Sequence, residues 1–229
     1  MNRFLYRLEK MISKVAIPNL MLYITGGMLL MYVLSYFMPG TVVFMGRETS
    51  LVGILTLTRA DLFAGQVWRL FSYIFVPPAS SPIFALISLY FYYFIGSTLE
   101  RHWGTAKFNL YYLLGMLGTT IAALIAGYGT NTYLNYSLFF AFAVLFPDMQ
   151  VLLFFVIPVK MKYLGYLNAG FFLLSFIFGS WSTRAAILAS LLNFFLFFGG
   201  DFIRRIRDNM KYSATRRNFR RQMNNNRWQ

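Results

Sequence analysis

The chain has no cysteine and only one histidine, His102. The absence of cysteine excludes a disulfide framework, a metal site built on thiolates and a cysteine nucleophile. It leaves the redox compartment open. We expect no metal ion and no other cofactor in this chain.

Charged residues are also scarce, at 12% of 229 residues, while 58% are hydrophobic and 20% are aromatic. In a soluble domain of this size, roughly a quarter of the residues would be charged. The composition therefore predicts a protein that lies in a lipid bilayer, and the length suits one helical bundle. The first apolar run begins near Ile17 and lacks a small-residue cleavage site, so we expect a retained helix and not a signal peptide.

The charges that are present concentrate at the two ends and give the chain a net charge of +14. We predict a basic segment at 1–16, a membrane domain at 17–203 and a basic tail at 204–229. The positive-inside rule places both ends in the cytoplasm, which requires an even number of spans. We expect both ends to contact anionic lipid headgroups. Nucleic acid is the disfavoured alternative partner of the tail, and none is expected.

Six apolar segments predict an all-α, polytopic bundle of six transmembrane helices. Their predicted bounds are about Ile17–Met38, Pro82–Leu99, Ala106–Tyr128, Tyr133–Phe146, Tyr163–Gly179 and Ala185–Ile203. The loop after the first helix, Pro39–Ser81, carries charged residues, and its second half, Ala60–Phe75, is amphipathic. We predict that this half of the loop lies in the membrane interface and is anchored by Trp68 and several phenylalanines.

The fourth apolar segment is unusually short. Its roughly 14 residues extend about 21 Å as a helix, whereas the hydrocarbon core of a bilayer is ~30 Å thick. A single helix from Tyr133 to Ile157 would be long enough, but it would bury Asp148 in the membrane. We therefore predict a short helix that ends at Pro147, followed by an apolar connector at Met149–Val159. Longer helices must surround it, or the bilayer must thin around it.

Small and polar residues inside the predicted helices indicate helix–helix contacts. Gly118, Ala122 and Ala126 recur every four residues on the third helix, which predicts the close approach of a neighbouring helix. Asn193, on the sixth, is a lone amide that either joins helices or lines a polar groove for a client. We expect the hydroxyl of Ser137 to bond its own helix or a neighbour.

Three short motifs mark the helix ends and the first loop. Trp68-Arg69 forms a pair in the loop after the first helix, Gly96–Phe108 crosses from the second helix to the third, and Phe142–Asp148 ends the fourth. These motifs resemble those of the rhomboid superfamily. The resemblance implies a six-helix rhomboid-like fold. It also implies structural roles for the matching residues Trp68, Arg69, Gly96, Glu100, Gly104 and Pro147. We expect Arg69 to bind loop carbonyls and Glu100 to hold the turn between the second and third helices.

The positions that carry catalysis in active rhomboids differ in this chain. Active members have a Gly-x-Ser-Gly serine at the start of the fourth helix, a histidine in the sixth and a His-x-x-x-Asn pair in the second. Here the serine position falls near Thr132, the pair falls on Phe84 and Ser88, and the sixth segment has no histidine. His102 is predicted at the cytoplasmic end of the second helix. It would then lie about a membrane thickness from Thr132 and Ser137, too far for a hydrogen bond.

The resemblance therefore implies the inactive branch of the superfamily, the pseudoproteases that include the Derlins. We predict a non-catalytic protein that binds transmembrane clients or partners in quality control, trafficking or regulation, with local thinning of the bilayer. Ser88 and Asn193 are the candidate residues of a client groove. One alternative is an intramembrane serine protease with Ser137 or Thr132 as nucleophile, and another is a small transporter or channel. We predict a multi-pass protein of a bacterial plasma membrane, with the endoplasmic reticulum membrane as the alternative.

Overall fold

Ten helices follow one another along the residues that the computed structural model describes, which are 3–78, 81–153 and 157–198. They are α1 Arg3–Ile12, α2 Leu20–Phe37, α3 Leu51–Leu55, α4 Arg59–Phe63, α5 Arg69–Ser72, α6 Pro82–Trp103, α7 Thr105–Ala126, α8 Thr132–Leu145, α9 Met161–Phe178 and α10 Trp181–Phe198. A short 3₁₀ turn, Tyr73–Phe75, follows α5. The predicted interfacial half-loop is thus two short helices and a turn.

In the described part of the chain, three short antiparallel strand pairs lie between the helices, in addition to the predicted all-α architecture. They join β1 Val42–Phe44 to β2 Arg47–Thr49, β3 Leu57–Thr58 to β4 Tyr128–Gly129, and β5 Gln150–Leu153 to β6 Ile157–Lys160. The second pair connects segments that are far apart in the chain. It therefore ties the loop after α2 to the turn between α7 and α8.

Among the described residues, five helices are long and apolar enough to cross a membrane by length and composition: α2, α6, α7, α9 and α10. Helix α8 is apolar but has 14 residues, which is about 21 Å of helix. The predicted count of six spans is therefore not confirmed. The predicted short fourth helix is present, shifted by one residue at each end. The end of the sixth segment at Ile203 and the basic tail at 204–229 lie outside the described residues.

Helix α8 lies inside the bundle, in contact with α6, α7 and α9. Its side chains are buried along the length of the helix, from Leu134 through Leu138 to Phe142. Large apolar side chains instead cover the outside of the longer helices, as Tyr166 and Phe171 of α9 do at 72% and 58% exposure. An apolar exterior of this extent fits a lipid environment.

Two glycines set the sharp turns at the ends of α7. Gly104, at φ +87°, ends α6 and directly precedes α7, and Gly127, at φ +92°, ends α7. Glycine adopts this left-handed region without steric cost. Helix α6 begins with Pro82, where the missing N–H would have no partner within the helix.

Helices α2 and α6 pack closely where Gly96 faces Met21. A Cβ atom on residue 96 would lie 1.9 Å from Met21 Cγ and 2.9 Å from Met21 Cβ. Only a glycine therefore fits at this crossing without displacing α2. Gly96 thus acts in the packing of the bundle.

The connector after α8 is the β5–β6 pair, and it is preceded by an exposed charged turn. The Pro147 carbonyl accepts a hydrogen bond of 3.0 Å from Lys162 N. The Asp148 side chain is 73% exposed and pairs with Lys162 at 3.3 Å and Lys160 at 3.6 Å. The hydrogen bond from Lys162, and then the charges of both lysines, lower the pKa of Asp148 below its usual value.

Candidate functional site

The two hydroxyls considered as nucleophiles are both held by other hydroxyls. Ser137 is fully buried on α8, and its hydroxyl forms a hydrogen bond with the Tyr111 hydroxyl of α7. Tyr111 also donates to the Ser137 carbonyl at 3.1 Å. Thr132, the first residue of α8, shares a 2.9 Å hydrogen bond with Thr130. Ser137 is therefore closed off from water and from a substrate.

His102 lies at the opposite end of α8 from Thr132. Its ring packs edge-on against Phe146, with the centroids 5.3 Å apart, just after the end of α8. Along the helix axis, Thr132 lies about 21 Å and Ser137 about 13 Å from Phe146. The prediction of a full membrane thickness is thus too large for Ser137. Neither distance allows the hydrogen bond of about 3 Å that a general base needs.

Arg69 is the centre of a hydrogen-bond network in the loop after α2. The residue is 3% exposed, and its Nη1 donates to the carbonyls of Gly53 at 2.6 Å and Thr56 at 2.5 Å. Its Nε donates to Gln66 Oε1 at 2.7 Å, and its Nη2 lies 3.4 Å from Asp61 Oδ2. The buried guanidinium is thus paired with one carboxylate and holds α3, α4 and α5 together.

Trp68 packs inside the same loop, while neighbouring apolar side chains point outward. The Trp68 indole donates to the Ile54 carbonyl at 3.4 Å and packs edge-on against Phe44. Phe63 and Phe71 are 78% and 64% exposed. These two phenyl groups are better placed than Trp68 to insert into the membrane interface.

Asn131, which the sequence analysis did not single out, joins this loop to α8. It directly precedes α8, is 5% exposed, and donates from Nδ2 to the carbonyls of Ile74 at 3.1 Å and Val76 at 2.8 Å. An asparagine before an apolar helix is a familiar signal for a helix N-cap. Here the side chain forms no cap hydrogen bond and binds the loop instead.

Glu100 binds a different segment from the one predicted. Its Oε1 accepts a hydrogen bond of 2.8 Å from the backbone N–H of Asn19, just before α2. Asn109 of α7 binds the same segment, because it accepts from Ile17 N and donates to Ile17 O, both at 3.0 Å. Glu100 and Asn109 therefore fix the start of α2, and the expected role in the turn between α6 and α7 is wrong.

A groove of about 730 Å³ runs between α7 and α10. Apolar side chains line it, including Leu117 and Ile121 of α7 and Leu188 of α10. Gly118 also lines the groove, and a Cβ atom on it would lie 3.7 Å from both Cβ and the carbonyl oxygen of Ala189. The small residue at 118 thus allows the close approach of α10 that the stripe of small residues predicts.

Two polar residues of α10 line this groove at different positions along the helix axis. Arg184 lies near the start of the helix and donates from Nη2 to the Ile177 carbonyl at 2.8 Å. Asn193 lies nine residues further, about 13 Å along the axis, is 4% exposed, and donates from Nδ2 to the Tyr111 carbonyl at 3.2 Å. Ser88, the other candidate groove residue, is half-buried on α6 and does not line this groove. The structure does not bring the two candidates together.

Three comparisons with known proteins give one match. A family model described as Eukaryotic integral membrane protein (DUF1751) matches residues 20–199. This range runs from the start of α2 to just past the end of α10. The description supports a multi-pass membrane protein, and it fits the endoplasmic reticulum alternative rather than the bacterial plasma membrane that the sequence favoured. Among curated proteins and among solved structures, nothing matches.

Proposed function

The chain belongs to this family of eukaryotic integral membrane proteins, and from that premise we propose that it is a non-catalytic, rhomboid-like and Derlin-like protein that binds the transmembrane segments of client or partner proteins. The observation that carries the proposal is the short helix α8, which lies inside the bundle between α6, α7 and α9. The protein acts in the endoplasmic reticulum membrane with both termini in the cytoplasm.

The length of α8 supports local thinning of the bilayer. A helix of about 21 Å falls about 9 Å short of a ~30 Å hydrocarbon core. Tyr136 of α8 is 38% exposed at the surface of the bundle, and lipid that meets a short helix at such a point thins to match it, at a modest cost for each ångström of mismatch. A thinner core lowers the cost of placing polar side chains in the membrane. Client segments that carry such side chains would therefore be favoured next to this protein.

The hydrogen bonding of the two candidate nucleophiles, Ser137 and Thr132, supports a function other than proteolysis. Ser137 is fully buried and bound to Tyr111, and Thr132 is bound to Thr130. A protease would need one of these hydroxyls to meet both a base and a peptide bond. His102 packs against Phe146, at the other end of α8 from Thr132.

Photo-crosslinking in microsomes tests the proposal. A photoreactive amino acid replaces Ile83 of α6 or Leu173 of α9, which are 71% and 61% exposed. A single-pass client whose transmembrane segment contains polar residues should crosslink about fivefold more than its all-leucine version, because thinning favours the polar segment. Equal crosslinking of the two clients would contradict the proposal.

Cleavage of the client provides the second readout of the same experiment. We expect the client to stay intact, and Ser137→Ala and Thr132→Ala to leave the result unchanged. Cleavage that disappears in either variant would establish the protease alternative and overturn the proposal.

A further inference from the structure

We propose that the groove between α7 and α10 binds one face of a client's transmembrane segment, and that Asn193 selects segments with a hydrogen-bond donor near their middle. This inference rests on the proposed function and adds where on the protein the client binds and which side chains it carries. The groove geometry, the Asn193 amide and the position of Arg184 support it.

The size of the groove suits side chains and not a whole helix. Its lining on α10 extends from Trp181 to Leu196, which is about 22 Å along the axis. Even all the empty space of the groove, about 1520 Å³ with its open side included, gives over this length a cross-section of roughly 69 Å², whereas a helix 10–12 Å across has roughly 95 Å². A docked client would therefore place one row of side chains in the groove and keep its other faces in lipid.

Asn193 provides the polar feature that an occupant must satisfy. Its Nδ2 donates to the Tyr111 carbonyl, which fixes the orientation of the amide. Its Oδ1 is buried, and no side chain or backbone group in the described part of the chain donates to it. A buried acceptor of this kind is unfavourable until a donor reaches it. A serine, threonine, asparagine or glutamine of a client supplies that donor, whereas the hydrocarbon chain of a lipid does not.

Arg184 adds a second requirement at the other end of the groove. Its Nη2 is bound to Ile177, while its Nε has no acceptor among the residues that the structure describes. Arg184 and Asn193 are nine residues apart, about 13 Å along the axis. A client segment that lies alongside α10 would thus carry an acidic residue beside Arg184, near the membrane surface. Its hydrogen-bond donor for Asn193 would lie about nine residues further into the membrane. A guanidinium at such a position binds a carboxylate through two hydrogen bonds.

The test uses the full-length chain in phosphatidylcholine vesicles with a photoreactive amino acid at Leu188. This residue lines the groove and is 49% exposed. The probes are two synthetic leucine-rich transmembrane peptides, each with a glutamate near one end. One has threonine and the other valine, a residue of the same shape, nine positions further along. We expect the threonine peptide to crosslink about fivefold more, as one hydrogen bond in a membrane allows.

Two variants test whether the crosslinking depends on the groove itself or on a general change in the fold. Asn193→Leu should abolish the preference for threonine. Since this change also removes the bond to Tyr111, Gly118→Leu provides an independent variant that fills the groove and leaves Asn193 in place. Gly118→Leu should reduce the crosslinking of both peptides at Leu188, while Gly118→Ala, whose Cβ makes only ordinary contacts, should change little.

The control position is Leu173 on α9, which does not line the groove. Equal crosslinking of the two peptides at Leu188 would overturn the inference, as would stronger labelling of photoreactive phosphatidylcholine than of either peptide. If clients crosslink only at Ile83 and Leu173, the inference fails and the proposed function stands. If they crosslink at none of the three positions, both fail.

Discussion

The Tyr111 hydroxyl of α7 is hydrogen-bonded to Ser137 of α8 inside the bundle, whereas the hydroxyl of the next residue, Tyr112, has no partner among the described residues. Both tyrosine side chains are buried. The sequence therefore contains two adjacent buried tyrosines in opposite hydrogen-bonding states. Their comparison isolates the contribution of the two hydrogen bonds by which the Tyr111 hydroxyl joins α7 to the hydroxyl and the carbonyl of Ser137 on α8.

Tyr111→Phe removes both bonds and leaves the Ser137 hydroxyl buried without its partner. We expect the free energy of unfolding to fall by about 1–2 kcal/mol. Tyr112→Phe removes a hydroxyl that has no partner, so it should be neutral or slightly stabilising. Thermal unfolding of both variants in detergent measures the difference. Equal losses in the two variants would contradict the assigned bond.

Arg69 should be much more important to stability than an exposed arginine of the same loop. Arg69→Gln leaves Asp61 partly buried without its buried cation and frees the carbonyls of Gly53 and Thr56, so we expect a loss of about 3 kcal/mol. Arg47 also pairs with Asp61, at 3.1 Å, but its side chain is 70% exposed. Arg47→Gln should therefore cost less than about 1 kcal/mol.

Hydrogen exchange across the loop provides the measurement for both arginine variants. In Arg69→Gln we expect faster exchange from α3 to α5, with α6 and α7 unchanged. A uniform increase over the whole chain would show instead that Arg69 supports the global fold.

Gly96 and Gly170 are both helical glycines, and they should respond oppositely to alanine. Gly96→Ala places Cβ against Met21 and should destabilise the protein by about 1–3 kcal/mol. A Cβ on Gly170 of α9 meets nothing within 4 Å, so Gly170→Ala should stabilise by up to about 1 kcal/mol through helix propensity. The midpoints of thermal unfolding should shift in opposite directions. An unchanged or higher midpoint in Gly96→Ala would contradict the close α2–α6 crossing.

The long helices could be predicted from the sequence because each is a continuous apolar run bounded by glycine, proline or charge. The third segment, expected to end at Tyr128, ends at Ala126 because Gly127 adopts a left-handed conformation. The short fourth helix followed from the position of Pro147 and Asp148. These features depend on neighbouring residues, so a single sequence reveals them.

The loop carbonyls that buried Arg69 binds were predicted, but the partners of Glu100 and Asn193 could not be, because they come from distant parts of the chain. Glu100 binds Asn19 across 81 positions, and Asn193 binds Tyr111 across 82. No periodic pattern specifies such pairs. The strand pair that joins Leu57 to Gly129 has only two residues on each side, too few for an alternating pattern. The tertiary fold alone determines these contacts.

The pairing of Asp148 with Lys162 and Lys160 should make stability depend on pH in the acid range. The pKa of Asp148 is lowered in the folded protein, chiefly by the hydrogen bond from Lys162. The folded state therefore protonates the Asp148 carboxylate less readily than the unfolded state does. The pairing thus stabilises the protein at pH values above the ordinary pKa of an aspartate, near 3.8. That contribution is lost as the pH falls through the lower pKa of the folded state.

Thermal unfolding of the wild type and of Asp148→Asn should thus differ at pH 7 and converge at strongly acid pH. Because the carboxylate is exposed, salt should also reduce the difference at pH 7. A difference that persists unchanged in acid would mean that Asp148 stabilises the turn after α8 through its shape and not through its charge.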